Sequence, residues 1–337
     1  IVLTYLNYPT WLKPEIIPGL PIRWYGLMYL VAFAITYLLF RYQTKEKKMD
    51  VTDDETMNFF FWIIIGLLLG ARILATLVYD TTGRYWRNPL LIFWPFDENM
   101  RFTGLAGMSY HGGLIGVIAA AIIYCRVKKR SFLEWADMLV TAVPLGYTFG
   151  RLGNFINGEL YGRVTASPLG MVFPAARRFS TGEAWVQDIA QRAGMAIAES
   201  QTSINLPRHP SQLYEALFEG VILWLILWLL FRKRKLAKGI VFGVYIIGYG
   251  FFRFVIEYFR EPDIGIGYPI QFVKTENPTY LFVTPWNFTT GQIFNFLMIA
   301  GGVILILFAR SLSKKQAAKK QAVQKKPSAR KIRKKIR

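Results

Sequence analysis

The chain has 337 residues, of which 53% are hydrophobic and 16% aromatic, and its mean hydropathy is +0.28. That is more apolar surface than one soluble core of this length holds, so a polytopic membrane protein is expected. The formal charge of +20 resembles that of a nucleic-acid binder, yet 13 of the Lys and Arg residues lie in residues 310–337 without a single acid, which leaves +7 for the rest and points to a basic tail rather than a specific nucleic-acid surface. The single cysteine, Cys125, excludes an intramolecular disulfide and a multi-cysteine metal site.

The polar opening stretch, residues 7–15, carries no cleavable signal-peptide pattern. Seven apolar stretches then follow, at residues 24–40, 57–79, 112–125, 132–149, 213–231, 239–258 and 292–309, as candidate spans for a bilayer that takes about 20 residues, the third being short unless Leu105 to His111 enters the membrane too. Basic residues follow the first stretch (Arg41, Lys45), the third (Lys128, Arg130), the fifth (Arg232, Lys235) and the seventh. They put these four connections on the cytoplasmic side. The expected fold is an all-α integral membrane protein with seven transmembrane helices, N-terminus outside and C-terminus inside. Residues 1–309 form its membrane domain, with residues 163–211 inserted as a small outer-side (periplasmic) head, and residues 310–337 form a basic cytoplasmic tail. Within the head, residues 183–199 predict a helix interrupted at Gly194. Residues 88–96 predict a short interfacial segment. The glycine pairs Gly66/Gly70, Gly112/Gly116, Gly146/Gly150 and Gly239/Gly243 are each four apart and predict close helix packing.

Chemistry concentrates in a few places. Residues 150–162 place Arg151, Asn154, Asn157 and Glu159 among the glycines Gly150, Gly153, Gly158 and Gly162, a pattern that predicts backbone bent to present polar groups at the mouth of a membrane helix. Arg253, Glu257 and Arg260 share one helical face, and charges inside an apolar span tend to line a polar cavity. Arg72 is another intramembrane cation, with Glu159 or Glu257 as possible partners. His111 is followed by Gly112 and Gly113. Ser109 beside it does not make a hydrolase, because no Gly-x-Ser-x-Gly elbow exists. Tyr25 reads as an interfacial anchor, Ser211 after Pro210 as a helix cap, and Cys125 as inert. Gly265, Ile266 and Gly267 lack the strand and third glycine of a dinucleotide site.

Taken whole, residues 150–162 resemble the signature of the prolipoprotein diacylglyceryl transferase family, bacterial inner-membrane enzymes that move a diacylglyceryl group from phosphatidylglycerol to a cysteine thiol. Residues 251–263 are similar to a second motif of that family and residues 209–215 to a third. The resemblance runs from Pro21 to about Arg310, with residues 163–204 and the tail matching loosely. It implies attack by the lipobox cysteine of a prolipoprotein signal peptide on the glyceryl carbon, release of glycerol phosphate, and no cofactor. It also implies roles: Arg151 and Arg253 on the phosphodiester, Asn154 and Tyr25 as orienting hydrogen-bonders, Glu257 as an arginine-positioning partner, His111 near the thiol, and Gly162 and Arg260 in lipid binding. Arginine suits this task because its fork of donors matches a phosphate. A rival reading is a seven-helix transporter or channel for an anionic solute. A retinal-type receptor is disfavoured because residues 292–309 contain no lysine.

Overall fold

Long apolar runs leave the backbone no water to bond with, and helices satisfy their interior N–H and C=O groups internally. The computed structural model describes residues 5–17, 19, 23–96, 100–101, 107–262, 267–274 and 278–325. Pro21, Ile22, Leu105, Asp263, Gly265, Ile266 and the tail from residue 326 therefore lie outside the described residues. The helices are α1 (Trp24–Glu46), α2 (Asp53–Leu77), the one-turn α3 (Arg84–Arg87), α4 (Tyr110–Val127), α5 (Phe132–Val140), α6 (Val143–Ile156), α7 (Ala184–Arg192), α8 (Ser211–Phe231), α9 (Ile240–Ile256) and α10 (Thr290–Lys325). Five helices are long and apolar enough to cross a membrane: α1, α2, α4, α8 and α10 over Thr290–Ala318. α9 is a shorter apolar helix.

Around residues 132–162, two expectations need correction. The stretch 132–149 is not one helix: α5 stops at Val140 and Pro144 sits in the first turn of α6, where its missing N–H has no helical partner to lose. The glycine-rich motif is not bent from its start, because α6 runs through Gly150 and Gly153 to Ile156. The bend follows, at Gly158 (φ 66°) and Leu160 (φ 56°). α8 contains two π-helical stretches, Ala216–Ile222 and Ile226–Phe231, wider turns that are frequent at functional sites.

The chain divides into two compact units, residues 37–136 and the remainder. In the unit of residues 37–136, α2 and α4 pack along their glycines. A Cβ at Gly66 would lie 2.6 Å from both Ala120 Cβ and Gly116 O, and one at Gly112 would lie 2.6 Å from Leu74 Cβ, so any side chain there forces the helices apart. At one end of α2, Thr52 accepts from Glu55 N at 3.0 Å, and Asp53, Asp54 and Glu55 complement the helix dipole. The rings of Phe40, Phe59, Tyr124 and Trp135 pack together, with 4.8 Å between the centroids of Phe59 and Trp135. Arg130 forks onto Glu55 with two 2.7 Å bonds. Pro89–Phe93 forms the expected short segment as a 3-10 turn.

In the other unit, the Asp137 carboxylate accepts the N–H groups of Gly239 and Phe242, each at 2.7 Å, at the start of α9. Gly239 has φ 95°, so it is a turn residue and not half of a packing pair. Gly243 does pack, with its Cβ position 3.0 Å from Gly302 O on α10. Gly146 abuts Ala32 and Thr36 of α1, while a Cβ at Gly150 would meet nothing within 4 Å.

The head departs from the all-α expectation through two short ladders. β1 (Leu6–Asn7) pairs parallel with β2 (Met171–Val172), and β3 (Phe179–Ser180) pairs antiparallel with β4 (Ser203–Ile204). α7 is shorter than the 183–199 expectation because the chain turns at Gly194 (φ 69°). Val164, Phe179, Val186, Ile189, Ile204 and Leu206 form its core, joined by Tyr280 and Leu281. Each such burial from water contributes about 1.5–3 kcal/mol. A second cluster brings in the N-terminal segment: Tyr8 packs with Met171 and Phe173 and donates to the carbonyls of Phe155 and Ile156 at 3.1 and 2.8 Å. The head is thus built from three separated pieces of chain, and residues 163–211 supply only one.

Candidate functional site

Helices α6, α8 and α9 bring six charged side chains together. Arg151 comes from α6, Glu215 and Glu219 from α8 one turn apart, Arg253 from α9, and Glu257 and Arg260 from the turn after α9. Glu215 is the hub. Its Oε2 lies 2.8 Å from Arg151 Nε and 3.2 Å from Arg253 Nη1, and its Oε1 accepts from Arg260 Nη1 at 2.6 Å. Glu257 is more distant, 3.7 Å from Arg253 Nη2 and 3.6 Å from Arg260 Nε. Thr289 Oγ1 holds it by donating to its Oε1 at 3.2 Å. Glu219 faces Arg253 Nη1 at 3.7 Å and accepts a short bond from the Tyr147 hydroxyl.

Three arginines and three carboxylates balance in charge, which a buried cluster requires, since an unpaired ion in such surroundings costs several kcal/mol. The balance is uneven in its geometry. Glu215 and Glu219 are wholly buried, and each arginine keeps 17–18% of its side chain exposed. Among the described residues, Arg253 Nη1, Glu219 Oε1 and Glu257 Oε2 are buried without a hydrogen bond. Arg253 is therefore held by charge at 3.2–3.7 Å, without the hydrogen bonds that fix its neighbours.

Beside the cluster, Arg151 Nη1 donates to Asn154 Oδ1 at 3.4 Å, and Asn154 Nδ2 donates to the exposed Glu159 at 3.0 Å. Asn157 reaches the same Glu159 oxygen at 3.2 Å. Tyr25 of α1 lies against Gly153, whose Cβ position is 3.4 Å from its ring, and bonds Tyr29 at 2.8 Å. Gly162 is a point of close backbone approach: its N–H donates to His209 O at 2.8 Å, it bridges to Arg260, and an added Cβ would strike Phe259 O. Gly162 thereby fixes the turn that aims Arg260.

Other singled-out residues take different places. His111 belongs to the unit of residues 37–136, where it is exposed, and its Nδ1 lies 3.3 Å from the Tyr79 hydroxyl. Ser109 caps α4 by accepting from Gly112 N at 3.2 Å. Arg72 donates to the carbonyls of Ile92 and Gly107 at 2.5 and 3.2 Å. Ser211 is not a cap: Pro210 holds that position and Ser211 Oγ donates to Leu160 O at 3.2 Å. His209 sits where burial, and then Arg163, push its imidazole down to about 4, so it is neutral at physiological pH. Sequence reading missed Glu219 and Tyr147 and gave Glu215 no role. The available signal was two acids four apart inside the apolar stretch 211–231.

Apolar helices gathered around buried, charge-balanced arginines define a multi-pass membrane protein with an internal polar site. The family model described as prolipoprotein diacylglyceryl transferase matches residues 14–308. Among similar proteins, the phosphatidylglycerol-prolipoprotein diacylglyceryl transferase of Treponema denticola is 51% identical over 95% of this chain and 98% of its own length. That of Treponema pallidum is 48% identical over 94% and 98%, and that of Borreliella burgdorferi 41% over 93% and 96%. The chain belongs to the prolipoprotein diacylglyceryl transferase family. That membership favours a transferase over the anion-transporter reading.

Proposed function

We propose that the chain transfers the diacylglyceryl group of phosphatidylglycerol to the lipobox cysteine of a prolipoprotein in the bacterial inner membrane. The thiolate sulfur attacks the glyceryl carbon, the C–S bond forms as the C–O bond to phosphate breaks, and glycerol phosphate leaves with the negative charge. The electrostatic task is to hold the phosphodiester and to stabilise the charge that grows on the departing phosphate.

The observation that carries this reading is the loose hold on Arg253, which makes no hydrogen bond among the described residues while Arg151 and Arg260 each make one within the cluster. An arginine with distant partners can turn its fork to a phosphate without stranding a carboxylate it had firmly bonded. Arg151 joins it from α6, Arg260 keeps Glu215 occupied, and Asn154 and Tyr25 orient the headgroup. Glu257 positions Arg253 from one turn away, and Gly162 admits the lipid by keeping the backbone close to Arg260. His111 serves near the thiol, an assignment that rests on the family resemblance alone. No cofactor enters the reaction.

The proposed arrangement has seven crossings. α1, α2, α4, α8 and α10 make five of them, α9 a sixth, and α5 with α6 the seventh. Residues 1–309 form the membrane domain with the head at 163–211 outside, and residues 310–337 lie in the cytoplasm. Cys125 is buried, so a cysteine placed at the exposed Ser180 reports topology cleanly. An impermeant thiol reagent should label it in intact spheroplasts; labelling only after lysis overturns this orientation. The activity is tested by incubating the purified protein with phosphatidylglycerol and a lipobox peptide. The peptide should gain the mass of one diacylglyceryl group, and an unmodified peptide after prolonged incubation contradicts the assignment.

A further inference from the structure

Tyr147 stands between two members of the cluster. Its hydroxyl oxygen accepts from Arg151 Nε at 2.7 Å and its O–H donates to Glu219, with Glu215 Oε2 a further 3.3 Å neighbour. Its ring also carries the Arg151 guanidinium, 4.9 Å from the centroid, and leans edge-on against Tyr249 at 5.9 Å. Tyr147 and Arg151 are four apart on α6, so the ring supports the arginine from one turn below.

From this geometry we infer that Tyr147 is a positioning residue for the transfer reaction, locking the Arg151 guanidinium through a hydroxyl that Glu219 in turn orients. The inference rests on the proposed role of Arg151 at the lipid phosphate. The hydroxyl does two things that no apolar ring can do. It accepts the hydrogen bond of the Nε–H, so the outer edge of the guanidinium stays turned toward Asn154. It also gives Glu219 its one hydrogen bond, since Glu219 Oε1 makes none among the described residues. Without the hydroxyl, Glu219 becomes a buried carboxylate with no donor, and Arg151 Nε is left to Glu215 alone, at 2.8 Å. Both changes draw guanidinium charge inward, toward the carboxylates and away from the substrate.

The test is a double-mutant cycle on the purified enzyme with phosphatidylglycerol and a lipobox peptide. Tyr147→Phe should lower kcat by about tenfold to a hundredfold while KM for phosphatidylglycerol changes by less than about threefold, because the interaction lost is one realised in the transition state. Arg151→Lys has no Nε fork for the hydroxyl to hold, so adding Tyr147→Phe to it should cost less than about twofold more. A merely structural tyrosine would give additive losses and a matching fall in melting temperature. Glu219→Gln and Glu219→Leu both leave three arginines facing two carboxylates and should both melt earlier, but only Gln keeps an acceptor oxygen for the hydroxyl, so per folded molecule its kcat should exceed that of Glu219→Leu by about tenfold. This pair decides the matter even if Tyr147→Phe does not fold. Parent-like kcat in Tyr147→Phe, or additivity with Arg151→Lys, overturns the role of Tyr147. Parent-like kcat in Arg151→Lys instead overturns the underlying phosphate assignment.

Discussion

Two sets of buried arginines in the same unit are held in opposite ways. In the head, Arg163 donates to the carbonyls of Arg260, Thr279 and Leu281 at 2.6, 3.3 and 3.1 Å and to the Tyr268 hydroxyl. Arg208 bonds Glu261 at 2.5 Å and lies over the rings of Tyr161 and Phe179 at 4.9 and 5.3 Å. Through these bonds the two guanidiniums tie the chain pieces of the head together. In the helix cluster, three arginines share three carboxylates, and Arg253 has none closer than 3.2 Å. Arg163 and Arg208 are the more deeply buried, at 2% and 0% exposure against 17–18% of the side chain for the cluster arginines, so depth of burial does not identify a working arginine. Arg253 stands apart in making no hydrogen bond among the described residues, whereas Arg163 and Arg208 are each anchored by one at 2.5–2.6 Å, although Arg208 Nε is left without a partner.

The comparison breaks most visibly at the arginines themselves. Arg253→Lys and Arg151→Lys keep the charge and lose the planar fork, and each should lower turnover by about a hundredfold to a thousandfold. His111→Gln should be milder, because a thiol already ionises in part near neutral pH. Next in size is the hub. Glu215→Gln leaves three arginines facing two carboxylates and should destabilise the fold by about 3–5 kcal/mol, read as a lowered melting temperature in detergent. In the head, Arg163→Ala should cost on the order of 3 kcal/mol by stranding carbonyl acceptors, with turnover per folded molecule nearly unchanged.

How much of this was legible beforehand follows from the physics of each signal. Arg151, Asn154, Arg253 and Arg260 stood out because ionic and amide groups are costly in apolar surroundings, and they do meet at one place. Glu215 and Glu219 were equally costly, yet Glu215 fell in a stretch where Pro210 and Ser211 already suggested a helix start, and Glu219 went unread. Tyr147 gave no signal, since a tyrosine in an apolar helix is ordinary until its hydroxyl's neighbours are known. The glycines of α2 and α4 were read correctly as packing, but spacing alone could not show that Gly239 is a turn or that Gly150 faces open space. The break at Pro144 was readable and was outweighed by the apolar run around it.

Smaller effects sharpen the same contrast. His209 is held neutral, its imidazole pushed down to about 4 against an ordinary value near 6.5. Between those values the unfolded chain binds the extra proton, so stability rises with pH there and is lost as pH falls from about 6.5 to about 4. Thermal unfolding of the parent and of His209→Gln across that window should show the variant lacking this component of the decline. Smallest of all is the tail. Residues 314–337 contain no aromatic, acid or histidine, and deleting them should change turnover in detergent by less than about twofold. The same deletion should weaken binding to anionic vesicles, at about 1 kcal/mol per basic residue near the surface.

The most direct test sets Arg253→Lys beside Arg163→Lys in single-turnover transfer from phosphatidylglycerol to a lipobox peptide, each normalised to folded protein. Arg253→Lys should fold like the parent and transfer at least about a hundredfold more slowly, while Arg163→Lys should melt earlier and transfer at nearly the parent rate. Parent-like transfer by a folded Arg253→Lys, with the loss falling on Arg163→Lys instead, would contradict the account.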